Sequence, residues 1–243
     1  GAPNRSSTDA PAARADAATS ALSSAAYYYD ICCQHRAEPE CIWEQARVLE
    51  LLGHQAKASK ILMTALETQD CGPWRSRLSL TLAMLHRKGS RCQEAVHYSQ
   101  EAWRHLSRLP REASKALEPE ILTSLLETRY ESNELLKFWL DLITRLPRLS
   151  QNQLREPLLR ANLTLALGFT GAHCRNRKLR KRLLKAVRRS DNPLLWAQVT
   201  SRMSVFRFAE GSIARHRRLL AHCVSVYETH GEPWELCMNL MQC

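Results

Sequence analysis

Glycine is scarce in this chain, with 8 residues in 243, aromatic residues make up 7%, and β-branched residues almost never alternate with polar ones. Strands need that alternation and their hairpins need glycine, so the shortage argues against a sheet. No apolar run approaches the roughly 18 residues that a membrane-spanning helix requires. The few glycines stand apart, and the chain has no glycine-rich phosphate loop, nucleophile elbow, His-Glu-x-x-His pair or kinase signature. No enzyme and no cofactor are expected. Ala, Leu, Arg, Glu and Gln dominate instead, residues that lose least on entering a helix. The expected fold class is all-α.

Nine cysteines are present, an odd number, scattered and mostly set beside Leu, Val and Ile. This pattern suits reduced thiols in a cytoplasmic protein better than a disulfide framework. Cys32-Cys33-Gln34-His35 followed by Cys41 is the one dense group of metal-type ligands. Adjacent cysteines point apart on a helix and no second cluster completes a tetrahedron, so no metal site is expected. His173-Cys174 and His222-Cys223 lack a positioned base and a third orienting group. Asn4-Arg5-Ser6 and Asn162-Leu163-Thr164 match a glycosylation acceptor, but no secretory signal precedes them. The start at Gly1-Ala2-Pro3, and a last helical segment from Pro233 to Cys243 with no partner to follow, read as a fragment of a longer protein.

Residues 1–20 hold Ala, Ser, Thr, Asp and Pro without large apolar residues, which reads as a disordered or loosely ordered arm. A repeat domain is expected over 21–243. Pro39, Pro73, Pro119, Pro157, Pro193 and Pro233 each open an apolar-periodic run, at separations of 34, 46, 38, 36 and 40 residues. Proline suits the first turn of a helix, where its missing N–H has no partner to lose. Gly53, Gly89, Asn133, Gly171 and Gly211 follow the first five of these prolines, residue types that tolerate the left-handed conformation ending a helix. Each unit therefore reads as helix, tight turn, helix. The spacing predicts helices over 40–52 and 54–69, 74–88 and 91–107, 120–132 and 134–146, 158–170 and 175–189, and 194–209 and 212–229, with a further helix over 21–36. Tyr27, Tyr28 and Tyr29, adjacent on that helix, cannot all be buried on one face. An ordinary helical bundle with prolines in its loops is the alternative.

In the first unit, small or apolar residues surround Gly53 at Ala46, Leu49, Ala58, Leu62 and Ala65. The second keeps Ala83, Ala95 and Ala102, and the fifth the seven-residue spacing of Ala214 and Ala221. In the fourth, Asn176 and Leu183 stand where small residues are expected, with Arg180 in place of the filling leucine. This pattern resembles the tetratricopeptide repeat. The longer, irregular units are also similar to the helical sensor arms of bacterial signalling ATPases and transcription regulators. The resemblance implies a right-handed superhelical array of about five hairpins, whose first helices line a concave surface that holds a protein, a peptide or a small effector. Its register puts Trp43, Arg47 and Glu50 of the first unit on that surface, then Arg77, Met84 and Arg87, Tyr130, and Arg160 and Arg202. Several arginines there would suit an acidic partner, since guanidinium grips carboxylates in pairs.

Charge is distributed unevenly along the chain. Residues 1–120 carry a net +1, and residues 121–243 a net +10. No acidic residue lies between Glu156 and Asp191, a stretch that holds Arg175, Arg177, Lys178, Arg180, Lys181, Arg182, Lys185, Arg188 and Arg189. On a helix, Leu179, Leu183, Leu184 and Val187 would face inward and the cations would spread over the rest. Arg215, Arg217 and Arg218 extend the patch from the next unit. A second expectation follows, that of a helical repeat meeting nucleic-acid phosphates through this basic helix.

Overall fold

A computed structural model describes residues 9–35, 38–68, 72–106, 108–110, 114–169, 173–230, 236 and 239–240. All the regular structure among them is helical. Eleven α-helices are described: α1 (Asp9–His35), α2 (Pro39–Leu51), α3 (Gln55–Thr68), α4 (Trp74–Lys88), α5 (Cys92–Leu106), α6 (Glu118–Glu131), α7 (Leu135–Arg145), α8 (Pro157–Phe169), α9 (His173–Arg188), α10 (Pro193–Ala209) and α11 (Ile213–His230). Ten of them follow the expected hairpin helices closely. The eleventh, α1, begins at Asp9, within the stretch expected to be an arm; residues 1–8 lie outside the described residues. No described helix is long and apolar enough to cross a membrane.

The chain divides into two compact units, residues 1–113 and 114–243. In the first, α2 packs on α1, α3 and α4, while α4 also packs on α3 and α5. Its core is small and aliphatic: Ile42, Ala46 and Leu49 of α2, Ala58, Leu62 and Ala65 of α3, and Leu78, Leu82 and Leu85 of α4. In the second unit α6 packs on α7 and α8, α8 on α9 and α10, and α10 on α9 and α11. There Ala161, Leu165, Leu183, Val187, Val199 and Met203 form the main core, with Ala197, Cys223 and Tyr227 as a second cluster.

Four helix-to-helix turns close by one hydrogen-bond pattern. After α2, Gly53 has φ +80, Gly53 N–H donates to Glu50 O at 2.9 Å and His54 N–H to Leu49 O at 2.8 Å. The same pair of bonds recurs around Asn133 (φ +56) and Gly211 (φ +74). It recurs after α4 as well, but there the left-handed residue is Ser90, with φ +57. Gly89, expected in that role, caps the helix at φ −84. This is the Schellman ending, in which two otherwise unpaired carbonyls are satisfied. Gly171 lies outside the described residues. Pro39 and Pro193 sit in the first turns of α2 and α10, and Asn192 accepts a cap bond from Leu195 N–H at 2.9 Å.

The helices after these four turns share a register, and α9 shows the same pattern of burial. Ala58, Ala95, Phe138, Asn176 and His216 take equivalent buried places, followed four residues on by Leu62, Ser99, Leu142, Arg180 and Leu220, all buried. In the fourth hairpin the substitutions read from sequence hold these places: Asn176, Arg180 and Leu183 are buried. The fifth hairpin differs from expectation. Ala214 and Ala221 are exposed, while His216 and Cys223 face inward. Polar residues at the first of these places bond to the preceding helix: Asn176 Nδ2 donates to Thr164 O at 2.9 Å, and His216 Nδ1 lies 3.1 Å from Ser204 O. A polar side chain that reaches a backbone carbonyl can be buried at a place that Ala58, Ala95 and Phe138 hold in the other hairpins.

Candidate partner-binding site

In the first unit the facing surfaces of α2 and α4 converge on Trp43. The indole Nε1–H donates to Thr81 Oγ1 at 3.0 Å, and that hydroxyl donates in turn to Arg77 O at 3.0 Å. The hydrogen bond fixes the ring edge. Arg47 Cζ lies 4.8 Å and Arg77 Cζ 4.7 Å from the ring centroid, so two guanidinium groups sit against one indole. Arg77 also lies 5.5 Å from the Trp74 ring, whose centroid is 5.8 Å from that of Trp43. Each such contact is worth about 0.5–1 kcal/mol at an exposed site and more when desolvated. Glu50 and Lys88 pair across the same two helices at 2.5 Å. Arg47 is exposed and stands 3.6 Å from Glu44 of its own helix, whereas Arg77 has no ion pair among the described residues. Met84 is 39% exposed; Arg87 is 6% exposed and belongs to the interior.

The other residues expected on this surface lie in the second unit and are engaged differently. Tyr130 is half-buried, and burial holds its phenol above the ordinary value. Arg202 pairs with Glu127 of α6 and donates to Gln198 O at 2.9 Å, so its charge is already answered. Arg160 lines a cavity with residues of α7 and α9. Thr81 and Lys88 were not singled out by sequence. Their signal is a separation of 38 residues, shared by the pairs Trp43–Thr81 and Glu50–Lys88 and visible only once the register of α2 on α4 is known.

The basic stretch forms helix α9 as expected, with Leu183 and Val187 buried and Leu179 and Leu184 half-buried. Arg177, Lys178, Lys181, Arg182, Lys185, Arg188 and Arg189 are exposed, and so are Arg215, Arg217 and Arg218 on α11. None of these ten has an ion pair among the described residues. Arg180 does not belong with them. It is buried, bonds Glu210 at 2.6 Å and lies 5.0 Å from the Phe206 ring. The side chain of Arg175 lies outside the described residues.

Cys33 of α1 and Cys41 of α2 lie near each other; burial, then Cys41 and Cys32, push Cys33 up to about 11. Both stay protonated at neutral pH, a poor state for a nucleophile or a metal ligand. Among the described residues no group of three or more His, Cys, Asp or Glu is placed to hold a metal ion. No protein-family model matches this sequence, and no curated protein matches it either.

Proposed function

We propose that the chain is a non-catalytic interaction module of tetratricopeptide-like hairpins, acting in the cytoplasm, whose α2–α4 face receives an acidic segment of a partner protein. The observation that carries this reading is Trp43, held by Thr81 and flanked by Arg47 and Arg77. Interfaces draw most of their energy from a few tryptophan, tyrosine and arginine anchors, and a guanidinium already oriented by a ring loses little freedom on gripping a carboxylate. The four turns with one bond pattern and the shared register of the following helices support the repeat reading. Titration of labelled peptides rich in Asp and Leu against the chain tests it. Trp43→Ala and Arg77→Ala are each expected to weaken the best peptide about tenfold or more. Equal affinity in both variants would remove the site.

The ten exposed cations of the α9–α11 region favour a second reading, attachment to nucleic-acid phosphates. Duplex binding that falls steeply between about 50 and 200 mM salt, and is lost in a Lys181→Glu, Arg182→Glu, Lys185→Glu variant, is its test.

A further inference from the structure

The second unit contains a partly open apolar cavity of about 330 Å³ between α7, α8 and α9. Trp139, Ile143, Leu146, Leu163, Leu167 and Leu179 supply most of its wall. Its origin lies in the connection after α7. The 3-10 turns at Leu146–Arg148 and Gln153–Arg155 carry the chain back toward the start of α6, where Gln153 Nε2 donates to Lys115 O at 2.6 Å and to Glu118 Oε2 at 2.7 Å. Tied there, α7 packs on α6 and scarcely touches α8, and the space that a close helix pair would fill stays open.

One arginine lines this space. Sixteen residues before Ala58, Ala95, Phe138 and His216 stand Ile42, Ser79, Leu122 and Thr200, all buried and none charged. The equivalent place before Asn176 is Arg160. A charge at a core register position is costly unless an opposite charge answers it. Arg160 is half-buried on the cavity wall, and its guanidinium has no ion pair or hydrogen bond among the described residues. Other buried or half-buried arginines of this unit, Arg129, Arg145, Arg180 and Arg202, all have carboxylate partners. Arg160 differs from them in lining an apolar cavity without such a partner.

We infer that this cavity is a binding site for an amphiphilic monoanion, a medium-chain acyl carboxylate whose tail fills the apolar wall and whose head meets Arg160. At about 30 Å³ per small heavy atom, the share water takes in its liquid, the twelve heavy atoms of a ten-carbon acid need about 360 Å³, close to the size of this partly open cavity. An apolar pocket with a single oriented polar group is the usual composition of a small-molecule site.

Isothermal titration of the full chain with decanoate and with decanol tests the site. Decanoate is expected to bind saturably, once per chain. Arg160→Met keeps the volume and removes the charge; it is expected to weaken decanoate about tenfold or more while leaving decanol within about twofold. Leu163→Trp takes up part of the cavity and is expected to weaken both, with far-UV circular dichroism reporting whether that variant folds. Absence of saturable decanoate binding by the unaltered chain would overturn the proposal. So would an Arg160→Met chain that binds decanoate as tightly as the original.

Discussion

Ser90 and Gly53 occupy the same place in two turns with the same backbone conformation, φ +57 and φ +80. A left-handed residue with a Cβ costs roughly 1–2 kcal/mol, partly offset by the lower unfolded-state entropy of a non-glycine residue. Ser90→Gly is therefore expected to stabilise the first unit by roughly 0.5 kcal/mol, and Gly53→Ala to destabilise it by about 1 kcal/mol. Urea unfolding of the two variants side by side checks the opposite signs. The same residues show where sequence reading stops. Gly89 offered a plausible helix stop, yet the left-handed place falls one residue later, and propensity alone does not separate adjacent candidates. Ala214 and Ala221 likewise carried the right spacing in the wrong register, because His216 and Cys223 fill the inward places through bonds to Ser204 O and Ala197 O. Asn176, Arg180 and Leu183 were legible because their separation from Gly171 matches that of the alanines from Gly53.

Helix pairs in this chain are joined by more than aliphatic packing. Arg129 of α6 is buried and bonds Asp141 Oδ2 of α7 at 3.1 Å as well as Glu134, while Arg145 also pairs with Asp141. Removing one member leaves a buried charge short of a partner, so Arg129→Leu is expected to cost about 3 kcal/mol. Adding Asp141→Leu to that variant should recover part of the loss, measured as a coupling by urea unfolding. The contact of α8 with α10 depends on Gly168. A Cβ there would fall 2.3 Å from Phe206 Cε1 and 2.9 Å from Asn176 Nδ2, and the Phe206 ring is itself packed under Arg180. Gly168→Ala is expected to cost about 1–3 kcal/mol in the second unit.

The α4–α5 pair carries a pH dependence. His86 is buried and stacked on Tyr98 at 5.3 Å; burial, then Arg91, hold its pKa below 6.5, against an opposing contribution from Glu94. Burial and Arg75, whose Nε donates to His105 Nε2 at 3.2 Å, lower His105 similarly, with Glu101 opposing. A histidine whose pKa is lower folded than unfolded binds its proton more readily when unfolded. Stability is then full above about 6.5 and falls as the pH drops from there toward the folded values. The urea midpoint of the first unit is expected to decrease between pH 7.5 and 5.5, and His86→Phe, which keeps the stack, to flatten that decrease.

Across the whole chain the formal charge of +11 lies almost entirely after residue 120, and this asymmetry was readable directly from composition. So were the ten hairpin helices, because prolines at helix starts and left-handed residues at helix ends mark both limits of an element. The tryptophan site was legible only in part. Trp43, Arg47 and Arg77 could be placed on exposed helix faces, but Thr81 and Trp74 enter through contacts between helices that no single-helix periodicity contains. Arg87, placed by the same register, is buried, while Arg202 is held by Glu127 and Arg160 lines a cavity, because burial, ion pairs and cavities depend on the neighbouring helix. The most direct measurement of the central claim is photo-cross-linking of the whole chain with an Asp- and Leu-rich peptide that carries a diazirine, followed by mapping of the adducts. Adducts on α2 and α4, between Trp43 and Met84, and their loss in Arg77→Ala, are expected. Adducts confined to the exposed cations of α9 and α11, or spread evenly over the chain, would contradict it.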